Sequence, residues 1–590
     1  MMTVFTNKTG KKTAKPVRII LAAGALLLFA FLCVLFVLLV KVKGNPKYLG
    51  NFVTKTRGAL ATEHFEHTSD GASVPHAAAE TSPDIYLDKT LIAVNGTEVT
   101  DYQRKKPISF SEDDLKKVRE NGILTFRGNY HRSLSSFGTA ELNEFRLEHS
   151  WTFGTGRFLK SDGVNYWSGN GWTGQPLAVI WDEATKRLMN LYDAAKNKSG
   201  LCEIIYPGMD GMIRFLDMET GEPTRDPINV GMAFKGTCSI HPDYPVLICG
   251  SGDWATGPFG EQISARFFLY NLLDGTKLYE FGANDPFAPR AWHGFDSSPI
   301  FYAPTDTVIC PGENGVLYTV DLNIVYDKGA GTLTVSPEEP VRYVYYSKTA
   351  GLRFEASEMS NGSGIENSAV VFDHYLFFGD NGGIFQCLDL NTMQPVWVQD
   401  LLEDINSSPV LEQTPDGGLC LYVATTLKYG YNDANIGEAC LYKLDAVTGE
   451  IIWKKPYEVH TVLGLAGGFL SSGALGEGPV GNAIFYTVSK SPSVDSSYLV
   501  SIDRVSGEEL WKREFPCDAW SSGCLLYDRD GQAWLVQCFG NGDILLIDAK
   551  TGVTKSQVHM GANIESTPAI VGNHLVVGVR DERIIGLRLR

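Results

Sequence analysis

From about residue 147 onward, apolar and polar positions alternate in short runs broken by Gly, Asn, Asp and Thr. This is the period of half-buried β-strands joined by tight turns, not of helices. One phrase recurs within the pattern. It reads Leu444-Asp-Ala-Val-Thr-Gly-Glu-Ile-Ile-Trp453 and again Ile502-Asp-Arg-Val-Ser-Gly-Glu-Glu-Leu-Trp511. Weaker copies stand at Leu388–Trp397, Tyr270–Tyr279, Leu216–Arg225 and Ile547–Ser556. Each copy predicts a strand, a Thr-Gly or Asp-Gly turn and a second strand that often ends in an aromatic. Repetition at this scale fixes an architecture before any single residue is interpreted.

A second signal counts the units. Small polar residues open an inner strand at Thr173-Gly-Gln-Pro176, Gly236-Thr-Cys238, Ser297-Ser-Pro299, Asn367-Ser-Ala369, Ser407-Ser-Pro409, Ser471-Ser-Gly473, Ser521-Ser-Gly523 and Ser566-Thr-Pro568. That predicts an all-β, eight-bladed propeller. Hairpin turns are explicit at Gly312-Glu-Asn-Gly315, Gly379-Asp-Asn-Gly382 and Gly540-Asn-Gly-Asp543, where Gly and Asn permit positive φ. The last unit has room for only three strands, near 569–571, 575–579 and 584–589. The strand Leu147–Phe153, which precedes the first unit, is predicted to supply the missing outer strand and close the ring. Closure leaves only short, protected edges.

The N-terminal part differs. Ile19–Val40 is a run of 22 uncharged, mostly apolar residues. As a helix it would span roughly 33 Å, enough for a bilayer core. The division predicted is a basic tail at 1–18, a transmembrane helix at 19–40, a flexible stalk at 41–110, a short helix and lead-in at 111–145, and the propeller at 146–590. Ser111-Glu-Asp-Asp114 has the pattern of a capping box that would open the short helix. The chain carries a net charge of −17, yet no Asp or Glu precedes Glu63, while ten Lys and Arg do. The remainder is therefore more acidic than the total. Such a domain is repelled by nucleic acid, which is discounted as a partner. Basic residues flank the apolar run on both sides, so charge alone leaves its orientation open.

The 11 cysteines show no C-x-x-C pairing, which argues against a zinc ribbon or covalent haem. Cys238 with Cys249, and Cys524 with Cys538, fall on successive predicted strands, and either pair suits a disulfide in an oxidising compartment.

The Asp-x-x-Thr-Gly-x-x-x-Trp phrases resemble those of PQQ-like (pyrroloquinoline-quinone-type) β-propellers. So does Leu124-Thr-Phe-Arg-Gly-Asn-Tyr-His-Arg-Ser133 followed by Leu147-Glu-His-Ser-Trp-Thr-Phe153. The resemblance covers about 124–590. It implies a fold and, since the family is mostly extracytoplasmic, a propeller outside the membrane with the N-terminus cytoplasmic. The dehydrogenases of that family hold a calcium with Glu and Asn, use an Asp base and carry adjacent cysteines. This chain has no adjacent cysteines. The resemblance is therefore to the non-catalytic, scaffold-like members.

Candidate chemistry lies where the inner strands open. The residues just before the small pairs are Trp172, Lys235, Asp296, Glu366, Asn406, Leu470, Trp520 and Glu565. They should converge at the channel mouth, with His293 and Arg353 in segments leading to it. Few polar groups between aromatic walls make a ligand site. The competing reading is structural, with the small residues satisfying loop backbone groups. No catalytic residue and no metal ligand is assigned. The function expected is binding or scaffolding of an envelope or surface protein, or of a glycan or peptide, with no cofactor. The alternative is a quinone- and calcium-dependent oxidoreductase, in which Asp296, Glu366 and Asn406 would imitate a calcium site.

Overall fold

The computed structural model describes residues 61–65, 73–160, 162–256, 261–290, 294–349, 353, 364–414, 417–462 and 465–590. The expected tail and membrane helix lie outside the described residues. Among the described residues no helix is long and apolar enough to cross a membrane.

Eight antiparallel blades form a ring. Their innermost strands are Leu177–Ile180, Ser239–Ile240, Ile300–Tyr302, Val370–Phe372, Val410–Gln413, Ala474–Leu475, Cys524–Tyr527 and Ala569–Val571. Blade 8 has three strands of its own, ending at Arg583–Leu589. The strand Leu147–Gly154 pairs with that last strand from Arg583↔Gly154 to Leu589↔Leu147. The predicted closure is thus the observed one.

The repeated phrase explains how neighbouring blades dock. Asp445 bends the turn by accepting the amide N–H of Val447 at 2.7 Å, and Asp503 accepts those of Val505 and Ser506 at 3.0 and 2.9 Å. The turn closes on a glycine with positive φ, +77° at Gly449. Beneath Gly449 lies Trp397 of the preceding blade, so close that a Cβ would come within 2.6 Å of its ring. Trp397 is fully buried and its Nε1–H donates to the Ala446 carbonyl at 3.0 Å. Trp453 docks in the same way under Gly507, Trp511 under Gly552, and Trp151, from the closing strand, under Gly221. One joint therefore serves both ordinary neighbours and the closure.

The small residues that open the inner strands form a second connection. The amide N–H of Ser298 donates to Ser368 Oγ (2.9 Å), Ser368 to Ser408 (2.9 Å), Ser408 to Ser472 (3.0 Å) and Ser472 to Ser522 (2.9 Å). Gln175 N–H donates likewise to Thr237 Oγ1 at 2.7 Å. Each hydroxyl ties its blade to the one before it, so the structural reading holds for these pairs. Cys238 and Cys249 form a disulfide in blade 2. Cys524 and Cys538 are free. Their strands pair with Cys524 opposite Val536, which puts Cys538 out of register.

Two segments depart from expectation. The flexible stalk predicted for 41–110 does not describe residues 73–110. Thr81 accepts the Val398 amide at 2.9 Å, Leu87–Val94 adds a strand to Val341–Ser347 of blade 3, and Thr97–Val99 pairs beyond it. Earlier, Glu63–His64 pairs with the outer strand of blade 5. The reason is the row of unpaired N–H and C=O groups on an outer strand, a template for any passing extended segment. A polar composition does not prevent that pairing. The helix Glu112–Lys117 follows, with Ser111 and Asp114 completing the expected capping box.

The lead-in then enters the ring. Gly122–Ile123 pairs on the inner side of the first strand of blade 1, and Ser136–Phe137 runs parallel to Ile570–Val571 of blade 8. Between them the chain crosses the channel. Arg127 and Arg132 are both 0% exposed. Arg127 donates to the carbonyls of Gly473 (2.6 Å) and Gly523 (2.9 Å), in blades 6 and 7. Arg132 donates to those of Ser298 (3.0 Å) and Ala369 (3.1 Å), in blades 3 and 4. Inner strands of a ring face the channel with carbonyls that lack partners. Two guanidinium groups, with their forked donors, satisfy four of them.

Candidate functional site

The plug makes a floor. Above it, on the face where the inner strands open, lies a cavity of about 200 Å³. Phe126 of the plug lines its bottom, and blades 1 to 7 line its walls. The walls are not alike. Blades 3, 4 and 5 contribute Asp296, Glu366 and Asp404, with Asn406 and Lys428. Blades 6, 7 and 1 contribute Leu465, Leu470, Trp520 and Trp172. The two tryptophans meet edge-to-face with ring centroids 5.6 Å apart.

The structure therefore brings together five of the predicted residues, Trp172, Asp296, Glu366, Asn406 and Trp520, together with Leu470. Lys235 stands immediately behind the wall. Its Nζ lies 3.7 Å from Asp296 Oδ2 and 5.8 Å from the Trp172 ring centroid. Glu565 lies outside the cavity lining, paired with Arg580 at 3.5 Å and accepting from Asn563 at 2.7 Å. Arg580 in turn covers the Trp172 ring at 5.4 Å. Arg353 is elsewhere. It binds Asp400 and the Gly382 carbonyl of blade 4 and does not line the cavity. His293 lies outside the described residues.

Sequence reasoning missed the residue that completes the acidic side. Glu313 sits in the turn Gly312–Gly315, read only as a hairpin. Turns between the second and third strands of a blade reach the mouth face, so this glutamate points at Asp296 and Glu366. One oxygen from each of Asp296, Glu313 and Glu366 lies within 4.8 Å of the other two. Asn381, in the equivalent turn of blade 4, donates to Glu366 (2.9 Å) and to Asp404 (3.1 Å). The available signal was a Glu where turn geometry favours Asn, Asp or Gly.

The electrostatics follow from burial. Glu313 is 5% exposed, and its Oε2 and Asp296 Oδ1 have no hydrogen-bond partner among the described residues. Burial, then repulsion from Glu366, pushes the Glu313 and Asp404 carboxyls up to about 8. Burial raises Asp296 to about 6 against the pull of Lys235. Charged carboxylates removed from water favour either a proton or a nearby cation. Arg290 is threaded among them, 3.7 Å from Glu313 and 2.5 Å from Asn381 Oδ1.

Three carboxylate oxygens at this spacing suit a hard cation. The expected trio is corrected, however, because Asn406 turns its amide to Asp404 and Thr426, both at 3.1 Å, and Glu313 takes its place. The residues do not fit the quinone. The two tryptophans stand at 73° to each other, so they form no parallel slot, and the cavity is smaller than the roughly 300–1,000 Å³ of drug-sized sites.

No family model matches the chain, and no curated protein matches it in sequence. Solved structures are similar in fold. BamB from Moraxella catarrhalis is 14% identical, with 70% of this chain and 98% of that one covered at a TM-score of 0.41. A europium-containing methanol dehydrogenase is 12% identical, with 81% and 100% covered at 0.37. The quinohemoprotein alcohol dehydrogenase from Comamonas testosteroni is 11% identical, with 81% and 82% covered at 0.40. Likeness at this level is of fold and says nothing of activity. This chain is an eight-bladed β-propeller structurally like the PQQ-type propellers.

Proposed function

We propose that the protein is a membrane-anchored, extracytoplasmic propeller that binds or scaffolds an envelope protein or surface ligand through its channel mouth. One observation carries this reading: the plug fills the channel from below but leaves a cup above it, lined from seven blades and divided into an acidic and an apolar half. A channel serving only to hold the ring together has no use for buried carboxylate oxygens without partners, which cost stability. Concave sites with aromatic walls and a few convergent polar groups are binding sites.

The test is capture from the native envelope with the full chain, beside the variant Trp520→Ala. The expected result is a partner retained by the parent chain and lost by the variant. Retention of nothing by either chain refutes the reading. The location rests on the apolar run Ile19–Val40 and is checked separately. A phosphatase fused after Arg590 should be active, and an inactive fusion reverses the topology.

The oxidoreductase reading has one observation in its favour, the three carboxylates able to hold a calcium. Against it stands the cup itself, whose tryptophans form no slot for the quinone. The check is a quinone chromophore and substrate-dependent dye reduction after reconstitution. Their absence retires that reading.

A further inference from the structure

The cup has a direction. An acidic wall made by blades 3 to 5 faces an apolar wall made by Trp172, Trp520, Leu465 and Leu470. Four carboxylates, those of Asp296, Glu313, Glu366 and Asp404, are gathered on the acidic side. Three of them, Asp296, Glu366 and Asp404, line the cup itself, where Lys428 is the cation among the described lining residues, so the wall is short of positive charge. Among the described residues Asp296 Oδ1 and Glu313 Oε2 are buried without a hydrogen-bond partner, on side chains 9% and 7% exposed. The cavity volume of about 200 Å³ suits one long side chain rather than a drug-sized molecule.

The rim adds a separate observation. The loops around the mouth expose large apolar residues. Val164 is 75% exposed on the hairpin that leads to Trp172, and Leu402 is 61% exposed between blades 4 and 5. Tyr166, Tyr431 and Leu465 are 43–49% exposed on loops of the same face. An apolar rim around a charged pit is the anatomy of a protein-binding surface with one anchoring pocket. A bare metal ion would need neither the tryptophan wall nor this rim.

Resting on the reading of the mouth as a binding site, we infer that the cup takes a lysine or arginine side chain of a partner polypeptide. The apolar stem lies along Trp172, Trp520 and Leu470, and the cationic head reaches Asp296, Glu366 and Asp404. Such side chains join an apolar stem to a charged head, and the cup offers each part its complement in sequence. A guanidinium or ammonium donates to the carboxyl groups of Asp296 and Glu366 and releases to solvent the proton that burial holds on Asp404, giving charge-assisted contacts. The exposed rim then seats the backbone on either side of the anchor.

The test uses the full chain and three capped tripeptides, glycine-X-glycine with X arginine, lysine or citrulline. Citrulline keeps the arginine shape without the charge. Binding is read by tryptophan fluorescence and calorimetry. Arginine or lysine peptide should bind saturably, with citrulline at least about tenfold weaker. Asp404→Asn should weaken the cationic peptides and leave citrulline unchanged. Citrulline binding as well as arginine overturns the inference while leaving the mouth a binding site. So does stoichiometric calcium binding that expels the arginine peptide, and so does failure of all three peptides to bind. Should an envelope partner be captured and stay bound under saturating arginine peptide, the general reading survives and this one falls. No variant is needed for the peptide comparison, so a misfolded Asp404→Asn does not rescue it.

Discussion

Arg127 of the channel plug allows a sharp test of what holds the ring from inside. Its guanidinium is fully buried, without a carboxylate, and donates at 2.6 and 2.9 Å to carbonyls of two neighbouring blades. Burial lowers its pKa, so the charge itself is costly there. Arg127→Ala strands two buried carbonyls, at about 1–3 kcal/mol each. It also opens a cavity, but it removes a desolvated charge, which offsets several kcal/mol. The net expectation is a loss of about 2–4 kcal/mol. Arg127→Met strands the same carbonyls while filling much of the space, and should cost less than alanine. Arg127→Lys keeps the charge but lacks the forked donors needed to reach both carbonyls. Leaving a buried charge poorly paired costs about 3–5 kcal/mol, so lysine should be the worst of the three. Urea unfolding of the full chain, followed by tryptophan fluorescence, gives the order. Should lysine prove the mildest, the charge rather than the forked geometry stabilises the plug, and the reasoning fails.

Gly449→Ala should cost about 2–3 kcal/mol, from a positive φ plus the collision with Trp397. Gly417→Ala, with φ +89° and open space, should cost only the roughly 1–2 kcal/mol of backbone strain; equal losses by thermal melting would remove Trp397 from the account. Glu313 and Asp404 hold protons up to about pH 8 in the folded state and lose them near 4.5 or below when unfolded. The native state thus binds more protons between those limits, and stability should fall as pH rises from about 4.5 to 8. Glu313→Gln should flatten that slope, and an unaltered urea-midpoint profile would contradict the assignment. Cys524 and Cys538 are buried, and burial pushes the Cys524 thiol up to about 11. Iodoacetamide should reach them only on unfolding and should spare Cys238 and Cys249 unless they are first reduced; rapid native labelling would count against this packing.

The parts of this molecule that repeat were legible in the sequence, because repetition turns a weak local signal into a count. The small residues at Ser297-Ser298 or Ser471-Ser472 are there for a hydrogen bond that recurs between five pairs of neighbouring blades, and Trp397, Trp453 and Trp511 recur with the glycines they lie under. The strand at Leu147 was legible by subtraction, since one unit lacked its outer member. What happens once was not legible. The plug has no period, and the partners of Arg127 and Arg132 are carbonyls hundreds of residues away whose alignment exists only in the closed ring. Residues 73–110 pair through their backbone, which composition does not encode. At the site, the rule that picks the residue before each small pair found Asp296, Glu366 and Trp520. It also picked Glu565, which Arg580 holds behind the wall, and it overlooked Glu313, disguised as a turn residue.

The plug and the closing strand lie before the blades in sequence, yet their partners include Gly523, Ile570 and Arg583–Leu589. Arg127 and residues 136–154 therefore wait, during synthesis, for most of the ring to be made. Sequence separation of this order slows folding. It also makes closure conditional on length: a chain stopped short of residue 583 leaves the strand at Leu147 without its partner and the ring unclosed. The ring therefore closes only once its last strand has been made, although the strand that closes it is among the first of the propeller to be translated.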